Sequence, residues 1–135
     1  MAVKEIDLTV TLFSPFDPTM IWRLYDAARH HFPPIQGGLR TFQLPTWFKQ
    51  AGLINVSFES FFSERKAPLR PIEREFISTL LQAHPQAAAS VDLPEQDLVA
   101  WRELADLDSP DHILKHPDFY FREGHIVVVG QAPGN

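Results

Sequence analysis

The sequence predicts an α/β domain built on a three-stranded sheet, with the C-terminal strand in the centre and antiparallel to its neighbours. Three observations carry this expectation. Leu44–Phe58 changes hydrophobic period from 3.6 to 2 across Gly52, which marks a helix, a stop and a strand. Residues 2–13 alternate apolar and polar, the pattern of a half-buried strand. Ile126, Val127, Val128 and Val129 are apolar in succession, so both faces of that strand are expected to be covered, and it takes the centre.

The organising stretch comes first. Leu44, Trp47, Phe48 and Ala51 form one helical face, and Gly52 follows as the residue that tolerates a left-handed backbone. Leu53 is placed to fold back on the last turn. Ile54, Val56 and Phe58 then alternate with Asn55, Ser57 and Glu59 in a strand expected to reach about Phe62, leaving Ser63–Lys66 as a solvated exit.

In the first strand Ile6, Leu8, Val10 and Leu12 are expected to point one way, and Glu5, Asp7, Thr9 and Thr11 the other. Asp17 caps a helix that opens with Pro18 and buries Ile21, Leu24, Tyr25 and Ala28 before stopping at Pro33-Pro34. Gln36-Gly37-Gly38 reads as a loop, with Thr41 as the next cap. A third helix from Pro71 turns Ile72, Phe76, Ile77, Leu80 and Leu81 inward, with Pro85 beyond its end and Ala87–Ser90 as a loop. A fourth starts near Pro94 with Leu98, Trp101, Leu104 and Ala105 on one face. A short fifth runs from Ser109-Pro110 to Pro117. Gly124 reads as a turn or bulge.

The chain has 135 residues, 44% of them hydrophobic, including eleven Phe and three Trp, enough for one domain with a core over 1–135. A net charge of −5 argues against nucleic acid as a partner. The absence of cysteine excludes disulfides and thiolate chemistry and fits a cytoplasmic location. No apolar segment reads as a secretory signal or a membrane span, so no membrane partner is expected.

Several motifs lie in one order. Glu5-Ile6-Asp7 sits in a strand, and Asp17-Pro18 opens a helix. Gly37-Gly38 precedes a Leu44-Pro45 helix that ends in Ala51-Gly52-Leu53, and Val127-Val128-Val129-Gly130 closes the last strand. In this order the chain resembles the substrate-side, C-terminal half of class I S-adenosylmethionine-dependent methyltransferases, in the branch similar to ubiquinone and menaquinone biosynthesis enzymes. The resemblance maps Ala2–Phe13 on the fifth strand of a seven-stranded Rossmann-like sheet, Ile54–Phe62 on the sixth and His125–Gln131 on the seventh, which inserts antiparallel between them. Residues 71–116 would then be a helical insertion that caps the substrate pocket.

The same resemblance sets expectations for chemistry. The parent family holds S-adenosylmethionine with a glycine-rich loop, and no G-x-G-x-G run occurs here. No cofactor-binding residue is assigned, and the chain alone is not expected to bind the cofactor. The substrate pocket would open at the end of the first strand and along the following helix, which assigns Phe13, Trp22, Tyr25, Arg29 and His30 to substrate binding; the alternative is that they are core and surface residues of an amphipathic helix. The expected partners are a small-molecule substrate and, through the strand at 2–13, either a second copy in a homodimer or a complementary cofactor-binding chain. The second reading is a non-catalytic dimerisation or ligand- or partner-binding module derived from that fold, and the third an unrelated small α+β domain that only mimics the pattern.

Two further features have both a chemical and a bland reading, and two more read as structural. Glu5 and Asp7 could pair for acid–base work, but a solvated face, or one covered by missing elements, is the favoured reading. His112 and His116 have the spacing of a helical metal pair, yet Ile113 stands where a metalloprotease carries glutamate, and no metal is assigned. His30-His31 suits a helix C-terminus, and His125 reads as a hydrogen-bonded histidine of the core or rim.

Overall fold

The computed structural model describes residues 1–134. Its elements are β1 (Ala2–Ser14), α1 (Pro18–Ala28), α2 (Pro33–Gly38), α3 (Leu44–Gln50), β2 (Ile54–Lys66), α4 (Pro71–Ala88), α5 (Glu95–Ala105) and β3 (Tyr120–Gln131). The three strands form one sheet in the order β1-β3-β2, with both outer strands antiparallel to β3. The C-terminal strand is therefore central, and β1 and β2 run parallel to each other on either side. No helix among the described residues is long and apolar enough to cross a membrane.

The α3–β2 unit is held by a defined stop signal. Gly52 adopts φ +82°, its N–H donates to the Lys49 carbonyl, and the Leu53 N–H donates to the Phe48 carbonyl. These two bonds satisfy carbonyls that a helix end leaves free. Phe48 is buried against Ile126 and Val128 of β3, with Leu44, Leu53, Val3 and Val56 packed around it. Trp47 lies instead at the surface under the Arg40 guanidinium, and Ala51 is exposed.

The register of β1 is regular only over Ala2–Asp7, and there burial does not follow the expected alternation, since Ile6 is exposed, as Lys4 and Glu5 are. Asp7 pairs with Gly124 and Leu12 with Arg122, so Leu8–Thr11 bulge outward opposite Glu123. This shift of register by an odd number exchanges the faces. Thr11 and Phe13 become buried, whereas Val10 and Leu12 are only half-buried. Gly124 is accordingly not a turn. It lies inside β3, where a side chain would strike Val10 and Asp7 of the bulge.

The main core lies where α1, α4 and α5 meet Phe13, Phe119 and Phe121. Every residue of the expected α1 stripe is buried in it. Ile77 and Leu81 of α4 join the core, but Ile72 is 65% exposed and Phe76 lies at its margin. The α4 helix also runs through Pro85 to Ala88, because Ala88 is fully buried and anchors the last turn. On α5, Trp101 and Leu104 are buried and Ala105 is not; Asp97 takes a core position instead. The helix α1 ends at Ala28, before Pro33-Pro34 rather than at it, and the two prolines instead open α2, which takes Gln36–Gly38 into a helix where a loop was expected. Thr41 caps nothing and begins a single 3-10 turn. The segment after α5 holds only a 3-10 turn at Ile113–Lys115.

β2 is longer than expected because Ser63–Lys66 continue the ladder to Tyr120, and Arg65 lies over the Phe76 and Phe121 rings. It is also more exposed, since it is an outer strand. Ile54, Phe58, Phe61 and Phe62 are all largely in solvent. On the sheet face opposite α3, the end holding Ile6, Phe61 and Val129 is uncovered.

Candidate functional site: an apolar cleft over Tyr25 and His84

A cleft of about 640 Å³ opens between α1, α2 and α4 beside the β1 bulge. Leu8, Leu24, Phe32, Ile35, Leu80 and Ala87 supply its apolar walls, and Tyr25 and His84 supply polar groups. Its size lies within the range of small-molecule sites, which combine apolar walls with a few placed polar groups. None of its described lining residues carries a formal charge at neutral pH.

Of the four polar lining residues, Gln86 and Ser90 are exposed, and Tyr25 and His84 come from facing helices. Tyr25 sits on the buried stripe of α1, and its phenol meets His84 Nε2 at 3.0 Å. His84 follows Ile77, Leu80 and Leu81 on the inner face of α4, and its Nδ1 lies 2.7 Å from the Leu80 carbonyl. A carbonyl only accepts, so Nδ1 carries the proton. In the neutral ring Nε2 is then an acceptor, and Tyr25 Oη donates to it. Burial lowers the His84 pKa, which keeps the ring neutral, and the bond to Leu80 offsets part of that effect. Burial raises the Tyr25 pKa well above its usual value, and the Glu123 charge adds to the rise. The phenol therefore stays protonated.

The surroundings hold this pair in place. The His84 ring stacks on Trp101 with centroids 5.8 Å apart, and Phe13 meets it edge-on at 6.0 Å. The buried Thr11 hydroxyl lies close enough to Tyr25 to offset part of its pKa rise. It does not reach hydrogen-bonding geometry, and Thr11 Oγ1 has no partner among the described residues. Buried hydroxyls without partners are uncommon and mark places where a polar chain is incomplete.

Of the five residues assigned from the sequence, Tyr25 lines this cleft. Trp22, Tyr25 and Arg29 together line a smaller cleft that also touches Leu8, where Arg29 pairs with Asp26 at 3.2 Å. Phe13 is 1% exposed and stands behind His84 in the core, because the β1 bulge turns it inward. His30 is exposed past the end of α1 and lines none of these clefts. The sequence reading missed His84. Its signal was present: extending the Ile77, Leu80, Leu81 stripe by one turn reaches His84, but Pro85 was read as lying beyond the helix.

Of the remaining candidates, His112 and Asp7 have local partners and His125 does not. His112 is buried, with Nε2 donating to the Leu104 carbonyl and Nδ1 accepting from the Leu114 N–H. Both ring nitrogens are thus occupied, and the 3-10 turn does not set His116 one helical turn away. Asp7 accepts from the backbone and hydroxyl of Thr9. His125 is buried under Phe61, but it is not hydrogen-bonded as expected: Nδ1 has no partner among the described residues, and Nε2 lies 3.8 Å from Glu123. No group of three or more metal-ligating side chains occurs among the described residues.

No protein-family model, curated protein or solved structure matches the chain.

Proposed function

We propose that this chain is the substrate-side portion of a class I S-adenosylmethionine-dependent small-molecule methyltransferase, active only with a complementary cofactor-binding half or partner. The observation that carries the reading is the strand order. β3 lies antiparallel between two strands that are parallel to each other, as the seventh strand of that family lies between the fifth and sixth. The Tyr25–His84 cleft adds support, because it opens beside β1 and the helix that follows, where the family's substrate pocket would be.

No G-x-G-x-G run occurs in the sequence. Gly37-Gly38, the one glycine pair in the sequence, ends α2; Gly38 packs closely on Leu8, and both glycines line a separate cleft of about 480 Å³ with Glu5, Thr41 and Trp47. This chain's contribution is to bind the methyl acceptor, orient it and exclude water, the proximity effect that aligned transfer requires. The cofactor supplies the activated methyl group when bound by the complementary half.

A second reading, a non-catalytic dimerisation or ligand-binding module, is favoured by the uncovered sheet face at Ile6, Phe61 and Val129. Calorimetry with S-adenosylmethionine, on a sample whose mass is determined alongside, separates the two. Micromolar binding by an oligomer supports the enzyme. Absence of binding by a well-folded dimer gives the second reading. Binding by a single copy overturns the division into cofactor and substrate halves.

A further inference from the structure

We infer that the cleft between α1, α2 and α4 binds an uncharged, ring-bearing small molecule that offers one O–H or N–H donor to the Tyr25 oxygen. As the class of a methyl acceptor this rests on the reading above; as a binding site it requires no cofactor.

The direction of the hydrogen bonds selects the ligand. Leu80 fixes the proton on His84 Nδ1, so the Tyr25 proton is committed to Nε2. The pair therefore offers no free donor to the cleft. What remains is acceptor capacity on the phenol oxygen, which has two lone-pair directions. The nearby Thr11 hydroxyl has no partner among the described residues and does not reach hydrogen-bonding geometry with Tyr25, so it takes up neither. A ligand O–H or N–H would occupy one of them. An ether or carbonyl of the same shape brings only an acceptor and finds no donor at the Tyr25–His84 pair; the other polar lining residues, Gln86 and Ser90, are exposed, and the Ser90 hydroxyl already donates to the Gln86 carbonyl.

The walls exclude charge. The described lining carries no basic or acidic side chain, and the nearest titratable partner, His84, is held neutral by burial. An ionised ligand would lose hydration with no counter-ion in return. The apolar faces of Leu8, Leu24, Phe32 and Ile35 suit flat rings, and the volume accommodates a molecule of about two fused rings.

The test uses the intact chain without S-adenosylmethionine and three probes of one ring system: 1-naphthol, 1-methoxynaphthalene and naphthalene-1-sulfonate. Calorimetry at pH 7 is expected to rank naphthol first. The methoxy compound should bind roughly fivefold more weakly, the value of one neutral hydrogen bond, and the sulfonate more weakly still. In Tyr25→Phe the advantage of naphthol over its methyl ether should disappear, while the ether's own affinity is retained. Ring-proton NMR should show His84 shifting with naphthol and His125 unmoved. Equal affinity for naphthol and its ether in the unmodified chain overturns the inference, as does preference for the sulfonate or binding of none. These outcomes are independent of the cofactor titration: naphthol binding without cofactor binding by any assembly removes the methyltransferase and leaves the site.

Discussion

Arg23 and Asp97, 74 residues apart in sequence, join α1 to α5 by a bidentate ion pair, Nε to Oδ2 at 2.5 Å and Nη2 to Oδ1 at 2.9 Å. The two ends are unequally enclosed, with side-chain exposures of 38% for Arg23 and 3% for Asp97. Removing the arginine strands a buried carboxylate, whereas removing the aspartate charge leaves a guanidinium that water can reach. Arg23→Met is expected to cost about 3 kcal/mol, and Asp97→Asn about 1 kcal/mol, since an acceptor remains. Urea unfolding at pH 7 measures both. Equal costs, or the reverse order, would show that the carboxylate is not enclosed as described.

His84 makes stability depend on pH in a predictable direction. Burial lowers its pKa in the folded state below the ordinary histidine value near 6.5. Below that value the unfolded chain takes up a proton that the folded chain refuses, so the unfolded state is favoured. The contribution of His84 is thus fully present above about pH 6.5 and is lost as pH falls from there towards the folded-state pKa. Between pH 7 and pH 5 the urea midpoint of the unmodified protein should fall more steeply than that of His84→Gln. Parallel pH dependence in the two would show that His84 protonates freely in the folded state.

The sheet order was legible because it depends on patterns that survive without tertiary information. Four successive apolar residues, Ile126–Val129, placed β3 in the centre, and alternation placed β1 and β2 beside it. Local chemistry was equally readable at Gly52 and Asp17, where one residue dictates a helix end. The second half of β1 was not, because a bulge is a relation between two strands, and Phe13 changes face only through pairing with Phe121. Asp97 gave no signal either: an acidic residue in the first turn of a helix reads as ordinary capping charge until Arg23 is brought to it. His84 was lost to an over-strict rule, since a proline inside a helix is tolerated when the next turn is anchored in the core.

Gly52 carries the sharpest local prediction. A Cβ there would meet nothing within 4 Å, so the position tests backbone conformation alone. At φ +82° a non-glycine residue is strained by roughly 1–2 kcal/mol. Gly52→Ala should lower stability by about 1 kcal/mol, and Gly52→Asn by less, because asparagine tolerates the left-handed region better. Thermal melts of the two variants settle the order. An unchanged melting temperature in Gly52→Ala would mean that the helix end relaxes to another geometry.

Gly38 makes a steric counterpart that links stability to the cleft. A Cβ on Gly38 would lie 2.6 Å from Leu8 Cγ and 2.7 Å from Leu8 Cδ1, closer than packed carbons allow. Leu8 also walls the Tyr25–His84 cleft, so a side chain at 38 must push Leu8 towards it. Gly38→Ala is therefore expected to cost about 1–2 kcal/mol from overpacking and to weaken 1-naphthol binding severalfold. The two effects have one cause, which a double-mutant cycle can isolate. Leu8→Ala should cost at least about 1 kcal/mol less in the Gly38→Ala background than in the unmodified chain, since the second truncation relieves the first clash. Additive costs in urea unfolding would show that α2 moves away from β1 as a unit instead, and the cleft would then widen rather than narrow.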